Sequence, residues 1–346
     1  MSDPTARLPH ALGGPVGRGT IKITPEDFVV EEILGFELSG EGEHVFLLIE
    51  KRGENTEYVA RQLGRYAGVP VRHVSYAGLK DRHGRTLQWF SIQLPGQTGP
   101  DWSGLNSDTI RVMDVTRNAR KLRKGAASGN RFALTVRDIT ATRELVEARL
   151  ADIVRQGVPN YFGPQRFGRD GQNIEQAKAL FAEPGRRIEP YKRGLYLSAA
   201  RSKIFNDILA ERVSTGQWNQ AIPGDVFMFS DSKSFFKPEA LDADILQRVR
   251  DHAIHPSGVL WGRDPSTTTD EAYKIENEVA AQMPDLAQGL VASGMDTARR
   301  PLRLCPSDLA WEFPEPGTLR LCFTLPAGAY ATTVLRELVS MDPLDV

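Results

Sequence analysis

The strongest constraint on the fold lies near the C-terminal end, in "LRLCFTLPAGAYATTVLRELVSM". It reads as a strand, a Pro/Gly loop and a closing helix, and a tail of about forty residues is too small to bury a core of its own. It has to pack on another part of the chain. The first half offers a host of the same texture. "IKITPEDFVVEEIL" reads as a strand rich in β-branched residues, and "HVFLLIEKR" as a second, mostly buried one. "NTEYVARQLGRYAG" sets Val59, Leu63 and Tyr66 at helical spacing, with Asn55 or Thr56 as cap and Gly68 as stop. In "RFALTVRDI" alternation marks a half-buried strand with Phe132, Leu134 and Val136 on one side, joined by Asn130 if the strand begins that early. "ATRELVEARLADIVRQG" is an amphipathic helix closed by Gly157.

Between that helix and the tail the texture changes. "VPNYFGPQRFGRDGQN" is dense in Gly, Pro, Asn and aromatics, and shorter helices and loops follow to about Pro301. The 346 residues allow two domains of ordinary size. The pattern therefore predicts a mixed α+β chain in which a discontinuous domain, residues 1–156 and 304–346, is interrupted by an inserted one, residues 157–303.

The net charge is −1, so any affinity for a polyanion has to be concentrated locally. One run qualifies: Arg111, Arg117, Arg120, Lys121, Arg123 and Lys124, with Asp114 as its acid. It reads either as a solvated, flexible face or as a patch that tracks phosphates, with interleaved Gly and Ser permitting close backbone approach. The aromatic loop mixes Tyr161, Phe162 and Phe167 with Arg166 and Arg169. Such planes stack on splayed RNA bases, but packing is the preferred reading, since most loop aromatics fill a core.

The two cysteines, Cys305 and Cys322, lack CxxC spacing, which fits a reduced compartment and gives no disulfide or zinc framework. "MSDPTARLPHALGGPVGRG" has no apolar h-region, and no apolar run approaches the ~20 residues of a membrane helix. A soluble, cytoplasmic protein without a membrane partner is the expectation. "GGPVGRG" lacks the GK[ST] ending of a phosphate loop and does not follow a strand. His252 and His255 sit three apart with no cysteine near them in sequence, so no metal site is expected.

"HVSYAGLKDRHGRTLQWFSIQL" sets Asp81 in a tight polar turn among Gly78, Lys80, Arg82, His83 and Arg85. Asp favours turns for its own backbone hydrogen bonds, so an exposed structural residue is the ordinary reading. Composition does not overturn it.

The order of motifs does. The chain resembles the TruD family of tRNA pseudouridine synthases in "KITPEDFVVEE", "YAGLKDRHGRT", "RKLRKGAASGNRF", "VPNYFGPQRFG", "HPSGVLWG" and "LPAGAYATTVLREL", which come in the family's order from about Gly19 to Leu338. The resemblance implies a pseudouridine synthase catalytic domain with a central, mostly antiparallel sheet, plus an inserted α/β TRUD domain. It implies isomerisation of uridine-13 in tRNA, with no cofactor, by a monomer. The family's catalytic Asp falls on Asp81, and its substrate contacts fall on Phe28 and Asn130. Tyr330 stands where relatives often carry Phe, keeping the ring and adding a hydroxyl. Lys22 would be the basic partner of Asp81, with Lys80 a second nearby cation and Phe132 a lining residue. Arg120, Lys121, Arg123 and Lys124 would meet the RNA backbone.

These residue types suit the reaction. Uracil leaves C1′ and returns through C5, so the nucleotide must be flipped out and the detached base held while it turns. An ionised Asp can act as nucleophile or take the C2′ proton, and rings such as Phe28 and Tyr330 supply stacking worth roughly 1–3 kcal/mol per base. Two rival readings remain at this level. An RNA glycosylase or transglycosylase calls for a second acid ~5–9 Å from Asp81, with Glu26 or Glu31 as candidates. A non-catalytic RNA-binding protein would use the basic run and the aromatic loop alone.

Overall fold

The computed structural model describes residues 3–183 and 185–341, so the outermost ends of the expected 1–156 and 304–346 domain lie outside the described residues. The chain forms two compact units. One, the sheet unit, comprises Gly17–Thr142 and Pro306–Gly328; the other, the helical unit, comprises Met1–Val16, Arg143–Cys305 and Ala329–Val346.

The sheet unit is built on an eight-stranded sheet: β1 Phe28–Leu34, β2 His44–Arg52, β3 Val74–Tyr76, β4 Arg85–Gln93, β5 Ile110–Asn118, β6 Ala127–Val136, β7 Ser307–Glu315 and β8 Thr318–Pro326. Their order is β7-β8-β6-β1-β4-β2-β5, with β3 beside β4. Of these pairs β1–β4 is parallel and the rest antiparallel, the mostly antiparallel sheet that the family resemblance implies. The strand expected in "IKITPEDFVVEEIL" begins only at Phe28. Before it Lys22 takes φ +60° and Pro25–Asp27 form a short 3-10 turn, because Pro25 has no N–H for a ladder.

Register sets one face of this sheet. Phe28, Val30 and Glu32 on β1 lie opposite Leu134, Phe132 and Asn130 on β6, so the strand does begin early enough to bring Asn130 onto that side. Val30 lies beside Thr86 on β4, and Thr86 and Gln88 lie opposite Lys51 and Ile49 on β2. Cross-strand partners share a face. Part of it is apolar: Val45, Leu47, Ile49, Phe90 and Ile92 pack under helix α1, Thr56–Tyr66, through Val59, Ala60 and Leu63. Tyr66, expected among them, is 36% exposed, and its hydroxyl donates to the Asp101 carbonyl at 2.6 Å. Elsewhere the same face is polar. Lys51, Thr86, Gln88 and Glu32 are all buried there. Burying such groups is costly unless they are paired, so packing alone did not select them.

The tail finds its host. Strand β8 pairs with β6 from Leu319 opposite Val136 to Leu325 opposite Asn130. In the helical unit, α4, Ala331–Leu338, packs against α2, Arg143–Gln156, which Gly157 ends at φ +74°. The middle of the chain departs from the short helices and loops expected. Helix α3, Pro190–Ser214, is 25 residues long and buries Leu197, Ala200, Ile204, Phe205 and Ile208. A four-stranded sheet runs in the order Phe235–Phe236, Phe227–Phe229, Ile254–Leu260 and Ala298–Pro301. Ile254–Leu260 is buried along nearly its whole length, so it lacks the alternation that marks a strand, and Pro256 and Gly258 read as loop. His255 hydrogen-bonds through both ring nitrogens, to Ser230 and to Arg303, and burial drives its pKa down to about 3. No helix among the described residues is long and apolar enough to cross a membrane.

Leu321 of β8 is fully buried opposite Leu134. Leu321→Ala should destabilise the sheet unit by about 2–5 kcal/mol, read as a lowered midpoint in urea unfolding followed by tryptophan fluorescence; an unmoved midpoint would place β8 outside the core.

Candidate active site

Residues 77–84 join β3 to β4 and carry Asp81. They form no free surface turn, because buried side chains hold their backbone from the sheet side. Gln88 Nε2 donates to the Gly78 carbonyl at 2.6 Å. The Thr56 hydroxyl accepts from the Lys80 amide at 3.0 Å and donates to Gln88 Oε1 at 3.0 Å. Lys51 Nζ donates to the Asp81 carbonyl at 2.7 Å and to the Glu54 carbonyl at 2.8 Å. Where the loop re-enters the sheet, a Cβ on Gly84 would stand 2.6 Å from the Phe28 carbonyl oxygen, so a glycine is needed for the approach.

The Asp81 carboxylate is half-buried, with 21% of the side chain exposed, and Oδ2 accepts from Lys22 Nζ at 2.7 Å. Lys22 reaches it from a left-handed backbone conformation uncommon for a residue with a Cβ. Its ammonium also lies 4.4 Å from the centre of the Phe28 ring, within cation–π range. Phe28 meets Phe132 edge-on at 6.3 Å, and Phe132 stacks on Phe323 at 5.5 Å. Lys80 Nζ donates to Asn130 Oδ1 and pairs with Glu32 Oε1 at 2.9 Å. Glu32 Oε2 in turn accepts from the Trp89 amide at 3.1 Å. The contacts form two groups within the sheet unit, Asp81–Lys22–Phe28–Phe132 and Asn130–Lys80–Glu32, which adjoin in the chain at Lys80 and Asp81.

Tyr330 belongs to the helical unit, at the N-cap of α4. Its hydroxyl accepts from Arg166 Nε at 3.0 Å and its ring meets Phe162 edge-on at 6.3 Å. The hydroxyl added relative to Phe therefore has a partner. Tyr161, Phe162 and Phe167 are all buried, as the packing reading of the aromatic loop expects.

Arg120, Lys121, Arg123 and Lys124 occupy the connection between β5 and β6 with their side chains exposed. Leu122 is buried among them, and its amide donates to Ser91 Oγ at 3.0 Å. The Gly125 amide donates to the Ala77 carbonyl at 2.8 Å, which ties the basic loop to the start of the Asp81 loop. Arg117, by contrast, donates to the carbonyls of Gly42 and Gln97.

Lys51, Glu32, Thr56 and Gln88 were not singled out in the sequence. A signal for two of them is there in phase: Lys51 continues the inward positions Val45, Leu47 and Ile49, and Gln88 precedes Phe90 and Ile92 on the same face. Burial pushes the Lys51 ammonium down to about 8, against the opposing pull of Asp81 and Glu54. Among the described residues no group of His, Cys, Asp and Glu is placed to hold a metal ion.

Comparison with known proteins adds a second line. The family model for tRNA pseudouridine synthase D (TruD) matches residues 11–183 and 172–338. The chain is 52% identical to a tRNA pseudouridine synthase D from Methylococcus capsulatus, over 97% of this chain and 95% of that one. It is 49% identical to one from Nitrosococcus oceani, over 95% and 93%. Its fold is similar to the crystal structure of a putative tRNA pseudouridine synthase D from Methanosarcina mazei, with a TM-score of 0.72 at 24% identity, covering 98% of this chain and 97% of that one.

The Thr56 hydroxyl links two polar groups inside the site. Thr56→Val keeps the shape and strands both partners, so it should destabilise the sheet unit by about 1–3 kcal/mol, seen as a lowered melting temperature. An unchanged melting temperature would mean that the loop is not held from beneath.

Proposed function

The chain belongs to the tRNA pseudouridine synthase D family, an isomerase family that forms pseudouridine in tRNA, and from that premise we propose that it converts uridine-13 with Asp81 as the catalytic carboxylate. The observation that carries the proposal is the way Asp81 is held. Its backbone carbonyl is fixed by buried Lys51 and its carboxylate by Lys22, while one flank stays open to a ligand. A surface turn residue needs none of this.

In the reaction the N1–C1′ bond breaks, the uracil turns, C5 bonds to C1′, and the proton of C5 is lost as N1 gains one. Asp81 acts on the ribose, either by attacking carbon or by removing the C2′ proton. Both roles use the carboxylate form, which is the form that accepts from the Lys22 ammonium. Phe28 and Phe132 supply apolar walls for the detached base. Lys80 and Asn130 are already paired to each other, so each offers a polar group that the carbonyls and N–H of uracil can engage. The exposed cations Arg120, Lys121, Arg123 and Lys124 track the tRNA backbone beside the Asp81 loop. The enzyme acts as a monomer in the cytoplasm.

Two-carboxylate glycosidase chemistry is less well supported. Glu31 alternates onto the face opposite Phe28 and Glu32 and pairs with Arg131, and Glu26 is bound by Arg52 at 2.9 Å.

Asp81→Asn should lower the single-turnover rate of pseudouridine formation at least ~10³-fold, with tRNA affinity held within about threefold. C5-tritiated tRNA should release tritium without free uracil, and adduct mapping by primer extension should place the new residue at position 13. Free uracil would indicate a glycosylase, and an active Asp81→Asn would remove that residue from the mechanism. Neutralising Arg120, Lys121, Arg123 and Lys124 one by one should weaken tRNA binding and lower its salt slope by about one for each phosphate no longer neutralised. An unchanged slope would leave that loop a solvated face.

A further inference from the structure

Lys51 is the outlier of the sheet unit. It continues the inward phase of Val45, Leu47 and Ile49, where an apolar residue would be ordinary, and its side chain is fully buried. Lysines are almost never fully buried unless paired. Here the ammonium meets two backbone carbonyls, those of Glu54 and Asp81, and among the described residues no carboxylate at bonding distance. Carbonyl dipoles replace only part of the lost hydration, and burial pushes the ammonium down to about 8 against the pull of Asp81 and Glu54. A methionine or leucine would fill such a position without that cost, so a packing role does not account for the charge.

The two carbonyls say what the charge does. One belongs to the connection between β2 and α1; the other belongs to Asp81 itself. Of the side chains that fasten the 77–84 loop, Gln88 and Thr56 are neutral and hold Gly78 and Lys80. Lys51 alone among these carries a charge and touches the residue that bears the carboxylate. Resting on the proposed role of Asp81, we propose that Lys51 is a positioning residue: its buried ammonium clamps the Asp81 carbonyl from the sheet side, so that the carboxylate, held by Lys22, stays aimed at the ribose.

A clamp of this kind acts on rate more than on binding, because it sets the geometry of the reacting carboxylate and does not touch the tRNA. It is also charge-dependent. The charged groups facing Lys51 are Asp81 and Lys80 on the loop and Glu54 on the connection; Asp81 and Glu54 hold its proton, whereas burial and Lys80 favour its loss. The facing residues of β4 and α1, Thr86, Gln88 and Thr56, are uncharged. The ammonium is therefore complete well below pH 8 and is lost as the pH rises through about 8.

The test is single-turnover kinetics from pH 6.5 to 9.5 on the full-length enzyme with tRNA, comparing wild type, Lys51→Met, Lys51→Gln and Asp81→Asn. Wild type should slow as the pH passes about 8. Lys51→Met should be about 10- to 100-fold slower at pH 7, bind tRNA within about threefold of wild type, and lack the alkaline decline. Lys51→Gln, which keeps a donor without the charge, should behave alike and serves if the Met variant does not fold; if neither folds, the wild-type decline carries the test, and its absence overturns the proposal. Wild-type speed in a folded Lys51 variant, or the same alkaline decline in it, also overturns the proposal while an inactive Asp81→Asn leaves the role of Asp81 standing. An active Asp81→Asn removes that role instead.

Discussion

A carboxylate and an ammonium 2.7 Å apart, on Asp81 and Lys22, form the contact around which the sheet unit is arranged. The partners are 59 residues apart in the chain, and each sits in irregular backbone that has to be held still. Lys22 is fixed by an unusual left-handed conformation just ahead of β1. Asp81 is fixed by hydrogen bonds from Lys51 directly and from Thr56 and Gln88 through its loop. The eight-stranded sheet supplies the common platform, because β1, β2, β4 and β6 all turn residues of the site to one face.

That face is divided by chemistry. Under α1 it is aliphatic and aromatic, and burial there stabilises the unit at about 25 cal/mol per Å² of apolar surface. Beside the Asp81 loop it carries Lys51, Glu32, Gln88 and Thr86, whose desolvation is unfavourable. The Lys80–Glu32 ion pair and the hydrogen bonds to Asn130, to Glu32 Oε2 and to the loop backbone offset part of that cost. Thr86 Oγ1 has no hydrogen-bond partner among the described residues, and the apolar half bears the remainder. What is obtained is stiffness. In the proposed reaction, where a base detaches, turns and rebinds to the same sugar, the Asp81 carboxylate has to remain in place throughout, and loops held only by solvent do not provide that.

Much of the frame was legible in the sequence. The need for the tail to join the first half follows from its size, and β8 does complete the sheet against β6. Alternation placed Phe132, Leu134 and Val136 on one face and carried Asn130 with them. Asp81 could be singled out as a candidate only through ordered motifs, since local chemistry reads Asp in a polar turn as a surface residue. The partners beneath it were only half legible: the phase of Val45, Leu47 and Ile49 runs on to Lys51, but a Lys near the end of a strand reads as solvated until its register with β4 turns it inward. In the middle of the chain, burial of nearly every residue of Ile254–Leu260 erased the period on which a strand is recognised.

The most direct measurement is a crystal structure of the enzyme with a tRNA carrying 5-fluorouridine at position 13, where no C5 proton is available for the final step. That nucleotide should be flipped out, with its ribose C1′ or C2′ within about 3–3.5 Å of an Asp81 carboxylate oxygen and Lys22 and Lys51 still bound to Asp81. A flipped uridine seated elsewhere, with Asp81 facing solvent or a phosphate, would contradict it.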